Sequence, residues 1–155
     1  MAKEIERKFL LDLAQWQQVE KPAGEHFRQG YLVTDPQKTI RVRLTDTTGY
    51  LTIKGIATGA TRLEYEYEIP AEEARELLDH FAIAELSKIR YKIIHQHKVW
   101  EVDEFLGANA GLYVAEIELQ SEDEAFERPK WVTQEVTGEK KYYNSNLTTH
   151  PYKNW

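Results

Sequence analysis

Two carboxylates and an ammonium alternate at Glu4, Glu6 and Lys8. A β-strand points successive side chains to opposite faces, so a strand over Lys3–Leu10 carries these three on one face and Ile5, Arg7 and Phe9 on the other. Hard carboxylate oxygens suit a divalent cation. An ammonium beside them suits an anion held against that cation. For one strand alone, a solvated sheet face is the better explanation of the pattern. The pattern, however, recurs. Arg41 and Arg43 alternate with Ile40, Val42 and Leu44, and Thr52 and Lys54 with Leu51 and Ile53. Glu64, Glu66 and Glu68 alternate with Leu63, Tyr65, Tyr67 and Ile69. Lys88, Arg90 and Lys92 share a face, Glu101 and Asp103 oppose Trp100 and Val102, and Glu116 and Glu118 oppose Ala115, Ile117 and Leu119.

These side chains need strands to carry them. The spacing predicts strands over Lys3–Leu10, Phe27–Thr34, Thr39–Asp46, Tyr50–Gly55, Leu63–Ile69, Ser87–Ile94, Val99–Leu106 and Leu112–Gln120, with Trp131–Val136 as an edge segment. Asp12 caps a helix reaching about Val19. Pro70 opens a second helix, with Ala74, Leu77, Leu78 and Phe81 as its apolar stripe. Ser121 and Glu124 form a capping box for a third, and Glu139–Asn146 reads as a last short helix. Mostly sequential strands joined by hairpin tips predict an α+β fold: an eight-stranded antiparallel closed β-barrel with short helices packed outside.

The ionic faces contain few of the Ser, Thr, Asn and Gln expected of an ordinary wet surface. The apolar faces need a cover, which the helices supply. The ionic face is then the inside of the barrel. A dry ion network of this size would cost several kcal/mol per ion, against a net stability of about 5–15 kcal/mol. The bore is therefore expected to be wet and filled by something that answers both signs. An oxygen-ligated cation answers the carboxylates, and phosphate oxygens match the arginine forks.

Length and composition set the bounds. The 155 residues suffice for one domain over 1–155 with a real core. A net charge of −6 argues against a general nucleic-acid partner. No cysteine is present, so disulfides and thiolate metal sites are excluded. The absence of a signal-like apolar stretch and of any long apolar run predicts a cytoplasmic protein with no membrane partner. His95 and His97 fall at an expected hairpin tip without a third ligand and read as surface residues, as do His26, His80 and His150.

Glu4-x-Glu6-x-Lys8 resembles the opening of the CYTH, or triphosphate tunnel metalloenzyme, superfamily. The resemblance continues in order through Arg41-x-Arg43, Thr52-Ile53-Lys54-Gly55, Glu64-x-Glu66, Lys88-x-Arg90-Tyr91, Asp103-x-Phe105 and Glu116-x-Glu118. It reaches the tail at Val136-Thr137-Gly138 and Tyr143-x-x-x-Leu147. It implies a tunnel that binds a triphosphate with Mg²⁺ or Mn²⁺, expected as two ions. The form opening Glu4-Ile5-Glu6-Arg7-Lys8-Phe9-Leu10 is most similar to the inorganic triphosphatases. By the same resemblance, Glu4, Glu6, Glu116 and Glu118 hold one ion, and Glu64, Glu66 and Asp103 help to hold a second. Lys8, Arg41, Arg43, Lys54, Lys88 and Arg90 clamp phosphoryl oxygens. Lys8, Tyr31, Arg41 and Arg43 are the catalytic candidates, with Tyr31 as partner of Lys8. Lys140 or Lys141 is a candidate for reaching a tunnel mouth. The expected chain is a monomer or homodimer acting on a small triphosphate. The competing readings are a class IV adenylate cyclase, a thiamine or nucleoside triphosphatase, and a non-catalytic polyphosphate-binding module.

Overall fold

The period-two stretches fold as strands. The computed structural model describes residues 3–155. Its strands are β1 Lys3–Leu11, β2 Glu25–Asp35, β3 Lys38–Leu44, β4 Gly49–Gly55, β5 Thr61–Ile69, β6 Ala84–His95, β7 Lys98–Phe105, β8 Tyr113–Glu118 and β9 Val132–Glu135. The α-helices are α1 Leu13–Gln17, α2 Ala71–Phe81 and α3 Asn144–Thr149. Among the described residues no helix is long and apolar enough to cross a membrane.

Eight strands close a ring in the order β1-β5-β4-β3-β2-β6-β7-β8 and back to β1, all antiparallel. The ninth lies outside the ring. One edge of β1 pairs with β8, while the other serves β5 near Lys3–Ile5 and β9 near Phe9–Leu11. The predicted closed barrel is therefore present, and the expected edge segment is β9.

The apolar cores sit mainly outside the barrel. Phe9, Trp100, Val102, Ala115 and Ile117 on the outer face of β1, β7 and β8 are covered by Trp16 of α1, by Trp131 and by Val132. Trp16, Trp100 and Trp131 meet edge to face, at 5.1 Å between Trp16 and Trp131 and 6.0 Å between Trp100 and Trp131. Val42, Leu44, Ala74 and Leu78 join α2 to β3. α2 also presses on β2. A Cβ added at Gly30 would lie 2.8 Å from Leu78 Cδ2 and 2.9 Å from Ala82 Cβ. Overpacking of that kind costs about 1–3 kcal/mol. Gly30→Ala is expected to lower the urea midpoint accordingly without changing the slope of the transition; an unchanged midpoint would show that α2 rides freely on β2.

Three expectations change. The helices do not cover the whole outer wall: Tyr67 is 55 % exposed, and Ile53, Leu63 and Tyr65 beside it are also exposed, because α2 reaches only the β2–β4 side. Ser121 and Glu124 make no helix. The Glu124 carboxylate accepts from the Gln120 N–H at 2.6 Å, but the following chain runs irregularly so that Phe126 packs on Phe9 and Trp100. The expected helix over Glu139–Asn146 is broken. A 3₁₀ turn over Lys140–Tyr142 gives way to extended Tyr143 before α3 begins.

The barrel is a cup. Inward-facing positions change from ionic to apolar along β1, β6, β7 and β8, from Lys8 to Leu10, Lys88 to Leu86, Asp103 to Phe105 and Glu116 to Val114. Leu10, Leu86, Phe105 and Val114 pack with Val136, Tyr142 and Leu147 from the tail, which floors the bore at that end.

Candidate active site

Register brings the charged positions level with one another. Glu6 pairs with Glu118 and Lys8 with Glu116 across β1–β8. Arg41 lies between Tyr31 and Thr52, with Glu66 next beyond. Lys54 pairs with Glu64, and Arg90 with Asp103. The ring order then sorts the charges. β1 and β2 stand on opposite sides of the ring. β1 and its neighbours β8 and β5 supply Glu4, Glu6, Glu116, Glu118, Glu64 and Glu66. β3 and β6, which flank β2, supply Arg41, Arg43, Lys88 and Arg90. A mainly acidic wall, which also carries Lys8 and Arg62, therefore faces a mainly basic wall across a cavity of about 390 Å³, a volume suited to one small ligand.

The basic wall is held from behind. Asp103 is buried and takes Arg90 bidentately, with Nε to Oδ1 at 2.7 Å and Nη2 to Oδ2 at 2.8 Å. Lys88 Nζ donates to Asp103 Oδ2 at 2.7 Å. Burial alone would raise the Asp103 carboxyl, but Arg90 and Lys88 outweigh it and hold the group well below the usual carboxylate range. Burial lowers the Lys88 ammonium, with Arg90 and Arg43 adding to the effect and Asp103 opposing it. Burial likewise pushes the Arg43 guanidinium down to about 9, helped by Arg41 and Arg90. This crowding of desolvated cations is relieved by an anion in the cavity. Arg41 Nη2 donates to Thr52 Oγ1 at 3.2 Å, while its buried Nε has no partner in the protein.

The acidic wall has the complementary defect. Like charges directly opposite on neighbouring strands repel, and Glu6 faces Glu118. Burial raises the Glu118 carboxyl, and Glu4, Glu6 and Glu101 add to it. Glu4 is raised first by burial, against Lys54, with Glu64 adding. Its Oε2 forms an ion pair with Lys54 Nζ at 3.1 Å, yet is buried and accepts no hydrogen bond. These are hard oxygen donors with excess negative charge, so their chemistry fits Mg²⁺ or Mn²⁺. Among the described residues no three acidic or imidazole groups are drawn together into a formed metal centre; the carboxylates are spread along the wall. Lys8 stands within the acidic wall, 3.9 Å from Glu6 Oε1 and 3.7 Å from Glu116 Oε1. Those carboxylates outweigh its burial and raise its pKa.

The sequence-predicted positions Glu4, Glu6, Lys8, Tyr31, Arg41, Arg43, Lys54, Glu64, Glu66, Lys88, Arg90, Glu116 and Glu118 all line this cavity. Asp103, expected as a metal ligand, does not; both its oxygens accept from Lys88 and Arg90. Glu101, one inward position nearer the mouth, lines the bore instead. Lys140 and Lys141 do not line it either, and Lys141 lies over the Tyr142 and Trp155 rings. The residues that reach the bore from the tail are Tyr143, Asn144 and Ser145. Sequence reading also passed over Arg62, Phe27 and Gln29. Arg62 shares the inward parity of Glu64 but falls before the predicted start of that strand. Phe27 and Gln29 share the face of Tyr31 but carry no charge.

The CYTH domain family matches residues 2–152. The chain is 49 % identical over 156 residues to an inorganic triphosphatase of Acetivibrio thermocellus, covering 100 % of this chain and 99 % of the relative. It is 35 % identical over 153 residues to an inorganic triphosphatase of Nitrosomonas europaea, covering 93 % and 95 %. The crystal structure of the inorganic triphosphatase NE1496 superposes with a TM-score of 0.66 at 33 % identity, covering 96 % of this chain and 95 % of that one.

Proposed function

The chain belongs to the CYTH domain family, and on that premise we propose that it hydrolyses inorganic tripolyphosphate to pyrophosphate and phosphate in the cup of the barrel. The observation that carries this reading is the pair of facing walls, with Glu6 set against Glu118 on one side and Arg41, whose buried Nε has no partner, on the other. A free anion satisfies only the second, and a free cation only the first. A polyphosphate carrying a divalent cation satisfies both.

Glu4, Glu6, Glu116 and Glu118 would hold one ion, and Glu64 and Glu66 would help to hold a second. The fit rests on their oxygen donors and on the unsatisfied Glu4 carboxylate. Bound there, such ions supply Lewis-acid neutralisation of phosphate charge. The chain's own cations do the remaining electrostatic work. Arg41, Arg43, Arg90 and Lys88 bind phosphoryl oxygens along the basic wall, Lys54 binds them between the walls, and Lys8 binds them from the acidic wall. Charge on those oxygens shifts as the terminal P–O–P bond breaks, and fixed cations follow it without reorganising. Asp103 touches no substrate in this scheme; it aims Arg90 and Lys88.

The decisive experiment is phosphate release from tripolyphosphate, ATP and thiamine triphosphate, each with Mg²⁺, with Mn²⁺ and with chelator. Fastest turnover on tripolyphosphate, abolished by chelator, is expected. Cyclic AMP formed from ATP would replace the reading with that of a cyclase. Binding of every triphosphate without turnover would reduce the chain to a binding module.

A further inference from the structure

Two neutral amides stand among the cations of the basic wall. Gln29 is fully buried on the inward face of β2. Its Oε1 accepts from Arg43 Nε at 3.3 Å, and its Nε2 donates to Asn144 Oδ1 at 3.1 Å. Asn144 opens α3 in the tail, and the same Oδ1 accepts from Lys88 Nζ at 2.8 Å. The chain of contacts runs from Arg43 through Gln29 and Asn144 to Lys88, with a cation at each end.

The end groups determine the orientation of both amides. Lysine and arginine only donate. Lys88 requires the oxygen of Asn144, so Gln29 must offer Asn144 its NH₂. Its oxygen then faces Arg43, as that guanidinium requires. Turning Asn144 over sets donor against donor at two places, and turning Gln29 over sets donor against donor at Arg43 and acceptor against acceptor at Asn144. Phe27, also on β2, lies under the Arg43 and Arg90 guanidiniums at 4.6 and 5.3 Å from its centroid. A charged residue at position 29 would either repel these cations or neutralise the wall. A neutral amide orients them and leaves their charge for the ligand.

We infer that Gln29 and Asn144 form one positioning unit, which aims Arg43 and Lys88 at a bound polyphosphate and ties the tail to that clamp. The inference rests on the proposed reading of the bore as a polyphosphate site, and it assigns the two residues positioning work through the cations they hold.

The test uses the full chain and its apolar near-isosteres Gln29→Met, Asn144→Leu and the double variant. Affinity for tripolyphosphate is measured by calorimetry without divalent metal, and turnover with it. Each single variant is expected to weaken tripolyphosphate binding about tenfold, the worth of a hydrogen bond to a charged group. Because the two amides act as one unit, the double variant is expected to lose no more than the worse single. Additive losses, or an unchanged Kd in both singles, overturn the inference. Asn144→Leu, at the start of a surface helix, keeps the test open where Gln29→Met does not fold. The binding readout separates this inference from the hydrolase reading. A chain that binds tripolyphosphate without cleaving it ends the hydrolase reading, while weakened binding in the variants still supports the amide pair. Unchanged binding with intact turnover does the reverse.

Discussion

Glu4→Gln is expected to cut tripolyphosphate hydrolysis about 100- to 1,000-fold while making the metal-free protein more stable. The loss follows from removing a charged oxygen donor to the bound cation; electrostatic groups of this kind are worth about that factor. The gain follows from linkage. Burial raises the Glu4 carboxyl above its ordinary value of 4.5, outweighing Lys54. A group whose folded pKa is raised contributes stability below its ordinary pKa and loses that contribution as pH rises through the folded value. At pH 7 the ionised Glu4 therefore destabilises the metal-free fold, and the neutral amide removes that burden. Thermal melts with chelator should show the variant above wild type at pH 7, with the gap closing towards pH 4.5. A variant that melts lower at pH 7, or that keeps full turnover, would remove Glu4 from the metal-binding wall.

Asp103→Asn is expected to have the largest effect on stability, a loss of about 3–5 kcal/mol, because it leaves two buried cations without their shared carboxylate. That is a large share of the ~5–15 kcal/mol holding a typical domain together. The pH dependence runs opposite to that of Glu4. The Asp103 carboxyl is held below its ordinary 3.8 by Arg90 and Lys88 against the burial that would raise it. Its contribution is present above that ordinary value and is lost as pH falls further, through the lowered folded value. Acid unfolding of wild type should therefore show a phase below about pH 3.8 that Asp103→Asn lacks. At temperatures where the variant is still folded, calorimetric Mn²⁺ affinity should be near wild type for Asp103→Asn and sharply weaker for Glu4→Gln. Equal loss of Mn²⁺ binding in both would return Asp103 to the ligand set.

The barrel and the membership of its lining were legible in the chain because strand side chains alternate strictly. Once Glu4, Glu6 and Lys8 face one way, parity carries the assignment along every strand to Arg41, Glu64, Arg90 and Glu118. Parity says nothing of depth along the bore. Asp103 and Glu101 share a face and a charge, yet one is sealed behind Arg90 and Lys88 and the other lines the cavity. The apolar ends of the inward faces, at Leu10, Leu86, Phe105 and Val114, were readable as residues but not as a floor. Only the tail packing into them through Val136, Tyr142 and Leu147 gives them that meaning.

The amino-acid order alone settled which side chains turn inward, since alternation is a local property of extended backbone and survives any arrangement of the strands. It also settled that the greasy faces lie outside. Strand order and register decided the rest. Ring closure set β1 across from β2 and so separated acid from base. The break at Tyr143 brought Asn144 to Lys88 across 56 residues of chain. Contacts between segments so distant depend on the packing of the whole barrel, and no spacing within a single strand encodes them.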